Sequence, residues 1–147
     1  MSDSELIPVE RMTAECFCLN TQRAARAVAR LYDAAMRPIG LTSGQFSILA
    51  ALNQQKPVSI GALADGLGLE RTTLTRNLAP LEVAGLIQSE ADDGDRRVRR
   101  LSLTVLGRER LALAMPLWRR AQQDAIATLA PHAWTTIQPA LSRLGSI

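Results

Sequence analysis

Acids and arginines alternate in one short stretch of the chain, DDGDRRVRRLSLT over residues 92–104. Its first four residues favour a turn, and its second half alternates leucine with polar residues at the period of a half-buried strand. Asp95 and Arg97 have the spacing that puts two side chains on one side of an extended strand. The acid can hold the guanidinium in place before it meets an anion, which reduces an entropy cost of roughly 2 kcal/mol. The pattern therefore predicts a hairpin, and one interpretation is that its tip presents arginine to a negatively charged partner.

Further arginines lie beside this pair. Arg96, Arg99 and Arg100 are candidates for phosphate contacts. The tip of such a hairpin can reach a narrow minor groove of DNA, where concentrated negative potential attracts arginine. The alternative is a solvated hairpin whose acids only balance its arginines. The stretch alone leaves both interpretations open, so the choice depends on the elements that precede it.

A second set of residues with binding chemistry lies in a helix predicted over residues 71–84. Leu74, Leu78 and Leu81 form its buried edge at helical spacing. Small hydroxyls on the opposite face can approach phosphates and base edges, and arginine can donate two hydrogen bonds to guanine. An ordinary helix with β-branched surface residues is the alternative. We predict a DNA recognition helix whose contacts are Arg71, Thr72, Thr73, Thr75 and Arg76.

The surrounding elements must position these residues. A tight turn between two helices needs a small residue at their contact and one that tolerates positive φ, which Ala64 and Gly68 supply. Ser59 can cap the helix before this turn, and Thr104 can cap the helix after the hairpin. The predicted elements are a loose arm over 1–12, helices over 13–38, 42–52, 59–67 and 71–84, a two-stranded hairpin of 86–91 and 98–104, and helices that begin at 104 and 134.

This order predicts a fold that is mainly α with a small β-hairpin wing, a winged helix–turn–helix with N- and C-terminal dimerisation helices. One domain spans residues 1–147, with a DNA-binding lobe over 42–103 and dimerisation helices over 13–38 and 104–147. A second copy of the chain would bury the apolar surface of the terminal helices. The alternative is that these helices fold back on their own domain. In the helix that begins at residue 104, a stripe of mostly apolar residues recurs at heptad-like spacing: Leu111, Met115, Trp118, Gln122, Ala125 and Leu129.

Composition limits the class of protein. A net charge of +3 permits an anionic partner without requiring one. No apolar run is long enough to cross a bilayer and no signal-peptide pattern is present, so we expect a cytoplasmic protein that is not in a membrane. We find no Ser–His–Asp or Cys–His pairing and no phosphate-cradling glycine loop, so we expect neither an enzyme nor a cofactor. Two cysteines and the distant His132 make a poor metal site.

Cys16 and Cys18 are the two cysteines, near the start of the first predicted helix. In a helix their side chains would point about 200° apart, so a disulfide between them would require unwinding. A thiolate at a helix N-terminus is electrostatically favoured, which raises its reactivity. The pair is therefore a candidate redox sensor. The alternative is two small buried cysteines with no sensing role.

The chain resembles the MarR family of winged helix–turn–helix regulators over roughly residues 15–145. The most specific part is GLGLERTTLTRNLAPLEVAGLI, followed by DDGDRRVRRLSLTVLG. The shared features are a Ser/Thr-rich recognition helix, a Gly-Leu stop at 85–86, an Asp-x-Arg wing at 95–97 and Leu-Thr-x-x-Gly at 103–107. Glu70 departs from the pattern, since it stands where an Asp or Ser cap is more usual and glutamate is a poorer cap.

The resemblance implies a homodimer on a double-stranded, pseudo-palindromic operator, with recognition helices in successive major grooves and wings in the flanking minor grooves. It also implies a repressor of transcription that a small phenolic ligand, a metabolite or an oxidant releases from DNA. A winged-helix module that binds protein and not DNA is the alternative. Such a module should carry acids or large apolar residues on the face that holds Thr72, Thr73 and Arg76.

Overall fold

The structure is a computed structural model that describes residues 6–146. Most of this part of the chain is helical. The elements are α1 Val9–Glu15, α2 Phe17–Met36, a 3₁₀ turn Arg37–Ile39, α3 Ser43–Ala51, β1 Val58–Ser59, α4 Ile60–Leu67, α5 Arg71–Val83, β2 Ile87–Ala91, β3 Arg99–Leu103, α6 Val105–Ala127 and α7 Trp134–Leu144. A small sheet takes one strand from between α3 and α4 and two strands from between α5 and α6.

The first predicted helix is two helices with a break at Cys16. Cys16 has extended backbone angles and caps α2, because its Sγ accepts a hydrogen bond from the Leu19 N–H at 3.4 Å. The Asn20 side chain donates to the carbonyls of Thr13 and Cys16, which occupies acceptors that the break exposes. The predicted loose arm is also partly wrong, since α1 begins at Val9; residues 1–5 of that arm lie outside the described residues.

The helix–turn–helix forms from α4 and α5 as predicted, and α3 packs against both. Thr42 and Gln45 form a capping box at the start of α3, and Ser59 caps α4 through the Ala62 N–H. Gly68 ends α4 at φ +63°, a conformation that favours glycine. Ala64 is buried, so its small side chain lets α4 pack closely.

The sheet has three strands, where the sequence predicted a hairpin of two. Strand order is β1-β3-β2, and all pairs are antiparallel. Val58 pairs with Leu101, and Ser59 pairs with Arg100. Because β1 has two residues and its partner lies more than forty positions away, local alternation carries no signal for this pairing. The hairpin of β2 and β3, residues 87–103, is called the wing below.

The hydrophobic core is concentrated in residues 42–103, called the lobe below, and in the adjoining half of α6. Among the described residues, α1 and α7 bury no side chain and α2 buries only Met36, so we call these three the end helices. The largest fully buried side chains are Met36, Ile48, Leu49, Leu52, Leu74, Leu81, Leu86 and Leu101.

The apolar stripe of α6 packs largely within its own chain. Leu111 is in the core, and the Trp118 ring stacks on Phe46 with ring centroids 6.5 Å apart. Gln122 accepts a hydrogen bond from the Tyr32 hydroxyl on α2. For these positions the intramolecular alternative describes the packing. Large apolar side chains are instead exposed elsewhere on the end helices, including Phe17, Val28 and Leu141.

Candidate nucleic-acid interface

Helix α5 packs against the rest of the lobe through one edge, and its opposite face is exposed to solvent. Leu74, Leu78 and Leu81 are buried. The structure places the predicted contact residues on the remaining surface, where Thr73 is half-buried and the others are exposed: Arg71, Thr72, Thr75 and Arg76. A face that combines hydroxyls with guanidinium groups can donate hydrogen bonds to phosphates and base edges.

The start of α5 is capped poorly, as the sequence predicts. Glu70 occupies the N-cap position, but its side chain makes no cap hydrogen bond. Thr75 donates its hydroxyl to the Arg71 carbonyl at 2.8 Å, so its oxygen is left to accept a hydrogen bond from a partner. Within residues 6–146, neither Arg71 nor Arg76 has a carboxylate oxygen within 4 Å. The positive charge of this face is therefore not neutralised locally.

Asp92 organises the tip of the wing, a role that the sequence analysis missed. Its Oδ2 accepts hydrogen bonds from the backbone N–H groups of Gly94 and Asp95, both at 3.1 Å. Its Oδ1 accepts from the Arg100 guanidinium. The hydrogen bond from Arg100 lowers the pKa of Asp92, and the backbone hydrogen bond from Asp95 adds to the effect. The Asp-x-Gly spacing of an Asx turn was the available signal.

Asp95 and Arg97 are brought together by a turn, whereas the sequence analysis placed them on an extended strand. Strand β3 begins at Arg99, so both residues precede it. Asp95 Oδ1 accepts from the Arg97 backbone N–H at 3.0 Å and lies 3.6 Å from Arg97 Nε. These contacts orient the Arg97 backbone and side chain. The side chain is 95% exposed, so the outer nitrogens of its guanidinium can reach a partner.

Arg96 and Arg99 of the wing differ in their contacts within the protein. Arg96 is exposed at the tip. Arg99 is engaged within the protein, because it donates to Glu82 Oε1 on α5 at 2.6 Å and to Ser89 Oγ at 2.8 Å. Glu82 was not singled out in the sequence, since its partner is seventeen residues away. Arg99 thus joins the wing to the end of α5 and fixes their relative orientation.

One threonine ties the wing, α5 and α6 together. The Thr104 hydroxyl donates to the Gly85 carbonyl at 2.6 Å and accepts from the Gly107 N–H at 3.0 Å. The Thr104 N–H donates to the Leu86 carbonyl at 3.1 Å. A Cβ on Gly107 would lie 1.9 Å from that carbonyl oxygen, so the first turn of α6 packs against backbone. These contacts explain why Gly-Leu and Leu-Thr-x-x-Gly occur as a pair.

A cavity of about 620 Å³ lies between the end helices and the lobe. Burial raises the pKa of Tyr32, whose ring borders it. At the same junction, Asp33 accepts a hydrogen bond from the Ser43 N–H at 2.6 Å, and that bond lowers the pKa of the Asp33 carboxyl. The lining is mostly apolar and is formed by Thr21, Ala24, Ala25, Val28, Ala29, Tyr32, Ser43, Phe46, Ser47, Trp118, Leu141 and Leu144.

The cysteines lie on either side of the start of α2. Cys16 is half-buried and Cys18 is exposed. The Cys18 Sγ accepts a hydrogen bond from the Gln22 side chain at 3.4 Å. Because Cys16 is already outside the helix, the predicted barrier of helix unwinding does not apply to it. In the part of the chain that the structure describes, His, Cys, Asp and Glu form no group of three that could hold a metal ion.

The arrangement of α3, α4, α5 and the three-stranded sheet defines a winged helix–turn–helix protein. No helix within residues 6–146 is both long and apolar enough to cross a membrane. The sequence model of the MarR family matches residues 41–98.

Solved structures extend the match to nearly the whole chain. The regulator MosR of M. tuberculosis, in complex with DNA, is 41% identical with a TM-score of 0.81, covering 90% of this chain and 95% of MosR. CouR, a transcriptional repressor bound to a 23-mer DNA duplex, is 29% identical with a TM-score of 0.76, covering 97% of this chain and 98% of CouR.

Among curated relatives, the transcriptional regulator HosA of Escherichia coli O111:H- is 29% identical over 89 residues, 60% of this chain and 66% of HosA. The matches span less than two thirds of the length of the curated relatives. Taken with the solved structures, they show that the chain belongs to the MarR family, whose members are transcriptional regulators and not enzymes.

Proposed function

We propose that this protein represses transcription by binding a pseudo-palindromic DNA operator as a homodimer. Helix α5 enters the major groove, and the wing reaches the flanking minor groove. One observation carries the proposal: Arg71 of α5 and Arg97 of the wing border a single cleft. Two arginines from separate elements therefore face the same space, as a shared DNA partner requires. MosR and CouR, which are similar to this chain, have been solved with DNA.

Each predicted contact residue has a role in this proposal. Arg76 and the threonines read base edges or adjacent phosphates, while Asp95 orients Arg97 for the minor groove. Arg96 meets a phosphate at the tip. Arg99 contributes by fixing the wing against α5, and its remaining N–H groups can face the phosphate backbone of the DNA.

The homodimer is supported by the apolar side chains that the end helices leave exposed. Phe17 is 67% exposed and Leu141 is 50% exposed, although both are large and apolar. A second copy of the chain buries such surfaces in a symmetric interface. The protein then acts in the cytoplasm, where its DNA is accessible and its thiols are reduced.

The cavity supports release by a small apolar effector, such as a phenol or a related metabolite. Its walls come from the end helices, α3 and α6, so an occupant would change how the end helices sit on the lobe. Trp118 lines the cavity and the chain has two tryptophans, so Trp134→Phe leaves one reporter. We expect simple phenols to change its fluorescence and to weaken DNA binding over the same concentration range. A fluorescence change without weaker DNA binding contradicts effector control.

Thiol oxidation is a second route of release that the chain can support. Peroxide can join two thiols into a disulfide with the formation of two waters, within or between subunits. We expect mild peroxide to lower both the free-thiol titre and the DNA affinity, and Cys16→Ser and Cys18→Ser to be resistant. Unchanged affinity with fully oxidised thiols overturns this route.

The test of the main proposal is fluorescence anisotropy with DNA from the protein's own upstream region, against scrambled DNA, over a salt series. We expect sequence-preferring binding whose log–log salt slope is about −0.9 per neutralised phosphate. Arg97→Ala should weaken binding to all sequences, whereas Arg76→Ala should also relax preference at particular base pairs.

Two results would contradict the proposal. If both variants bind like the parent, the wing and recognition-helix assignments are wrong. If the reduced, ligand-free parent binds neither DNA, the winged-helix protein-interaction module is favoured instead.

A further inference from the structure

Three elements of the lobe meet around a cleft of about 340 Å³. The start of α4, the start of α5 and the tip side of the wing each contribute to its lining. Its lining residues are Ser59, Ile60, Gly61, Arg71, Arg97, Val98 and Arg99. Three arginines from two elements therefore line one small space.

The charge in this cleft is not balanced. Arg99 is paired with Glu82 at 2.6 Å, and Arg97 lies 3.6 Å from Asp95. Arg71 has no carboxylate oxygen within 4 Å among residues 6–146. The group that the protein leaves unpaired is thus the one on α5, which favours an anion between it and the wing.

Gly61 determines where Arg71 can lie. A Cβ at position 61 would be 3.0 Å from Arg71 Nη2 and 3.6 Å from its Cζ, so the guanidinium rests on the bare backbone of α4. Glycine is a poorer helix former than alanine. Gly66 lies in the same helix, yet a Cβ there would meet no atom within 4 Å. Only at position 61 does the missing side chain make room for an arginine.

We infer that this cleft binds one phosphate of the DNA backbone, which bridges the helix–turn–helix and the wing, and that Gly61 is a positioning residue for Arg71. The inference rests on the proposed function and deepens it. A phosphate in the cleft joins Arg71 of α5 to Arg99 of the wing, which leaves Arg97 for the minor groove. It fixes the register of α5 and the wing on the duplex without reading sequence.

The test compares Gly61→Ala with Gly66→Ala, which makes the same change in the same helix without approaching Arg71. Alanine at 61 meets only the end of a flexible side chain, so we expect Gly61→Ala to fold and to displace the guanidinium. Its anisotropy salt slope should become shallower by up to about 0.9. Between about 50 and 200 mM salt the parent should lose up to about 3.5-fold more affinity than this variant. Gly66→Ala should match the parent.

Arg71→Ala completes the design, because Arg71 is exposed and its loss does not disturb the core. We expect it to lower affinity for operator and scrambled DNA equally and to make the slope shallower by about 0.9. Gly61→Ala combined with Arg71→Ala should be no weaker than Arg71→Ala alone, since both changes remove one contact. Inorganic phosphate at constant ionic strength should compete with DNA for the parent more than for Arg71→Ala.

Several outcomes overturn the inference. Additive losses in the double variant would show that Gly61 does not act through Arg71. An equal loss in Gly66→Ala would show a general effect of helix propensity, and a change of sequence preference in Arg71→Ala would show a base contact. In each case the parent still binds DNA. If the parent binds no DNA at all, the proposed function fails, which is a separate result.

Discussion

The lobe and the end helices differ in how completely one chain buries their apolar side chains. In the lobe, Leu74 and Leu101 are fully buried, and the core joins three helices to the sheet. In the end helices, Phe17, Val28 and Leu141 are exposed although they are apolar. The lobe therefore buries most of its large apolar side chains within one chain. Burial of the exposed apolar side chains of the end helices requires another surface, which the proposed homodimer supplies.

Charge follows the opposite rule within the lobe. Apart from Val83, its large apolar side chains are buried or half-buried within the chain, while Arg71 and Arg76 have no carboxylate oxygen within 4 Å among the described residues. In the proposed function, DNA phosphates neutralise the positive charge of the lobe, and a second copy of the chain covers the apolar surface of the end helices. Different variants should affect these two needs separately.

Leucine-to-alanine changes in the two regions should differ most. Leu74→Ala removes a fully buried side chain and should lower the free energy of unfolding by about 2–5 kcal/mol. Leu141→Ala removes a side chain that is half exposed, so within one chain we expect less than about 1 kcal/mol. Urea unfolding at several protein concentrations measures both. Equal losses at low concentration would contradict the comparison.

Gly107→Ala tests the boundary between the lobe and α6. The new Cβ would lie 1.9 Å from the Leu86 carbonyl oxygen, so backbone must move. We expect a loss of about 3 kcal/mol in the free energy of unfolding. Gly66→Ala is the matched control, because its Cβ meets open space. An unchanged urea midpoint for Gly107→Ala would show that the wing and α6 are not packed this closely.

Phe17→Asp should separate the subunits while leaving the lobe folded. Burying an unpaired carboxylate in an apolar interface is costly, so we expect the dimer Kd to rise at least about tenfold. Sedimentation at several concentrations gives the mass, and circular dichroism reports the fold. Val83→Asp is the control, since Val83 is 90% exposed at the end of α5, away from the end helices. A dimer that persists in Phe17→Asp excludes this surface as the interface.

Asp33→Asn tests a link between the two regions and should have a smaller effect than Leu74→Ala or Gly107→Ala. The Asp33 carboxylate accepts the Ser43 N–H at the start of α3, and this hydrogen bond lowers its pKa in the folded state. The stabilisation is therefore complete above the unfolded pKa of about 3.9 and is lost as the pH falls through the lower folded value. We expect Asp33→Asn to cost about 1 kcal/mol at pH 7.

The pH dependence is the control for that assignment. Parent and variant should become equally stable once the pH is below the folded pKa of Asp33, since the carboxyl is then protonated in both states of the parent. Urea unfolding between pH 7 and pH 3 measures this difference. A difference that stays constant over the range would show that charge on Asp33 is not responsible.

Local patterns predicted much of the lobe. The leucine spacing of α5, the positive φ at Gly68 and the cap at Thr104 each depend on neighbours a few residues away, and the structure confirms them. The family resemblance was carried by the same segments. Whether the surface residues of α5 and the wing contact DNA stays a prediction.

Contacts between distant residues were not predictable in this way. The β1–β3 pairing and the Arg99–Glu82 ion pair join positions that no local period relates. The break at Cys16 depends on the Asn20 side chain, which folds back to satisfy two carbonyls. The α6 stripe had the right spacing, but spacing alone does not say whether its partner is the same chain or a copy.

The Thr104 hydroxyl has a geometric consequence for regulation. It joins the Gly85 carbonyl, at the end of α5, to the first turn of α6, so a rotation of α6 would carry α5 and the wing with it. In the proposed homodimer, the distance between the two recognition helices is then set by the angle between the two copies of α6. Half-sites on DNA are spaced by one helical turn, about 34 Å. The proposed effector could then act by changing this angle, which would move the two α5 helices out of register with the half-sites without altering either lobe internally.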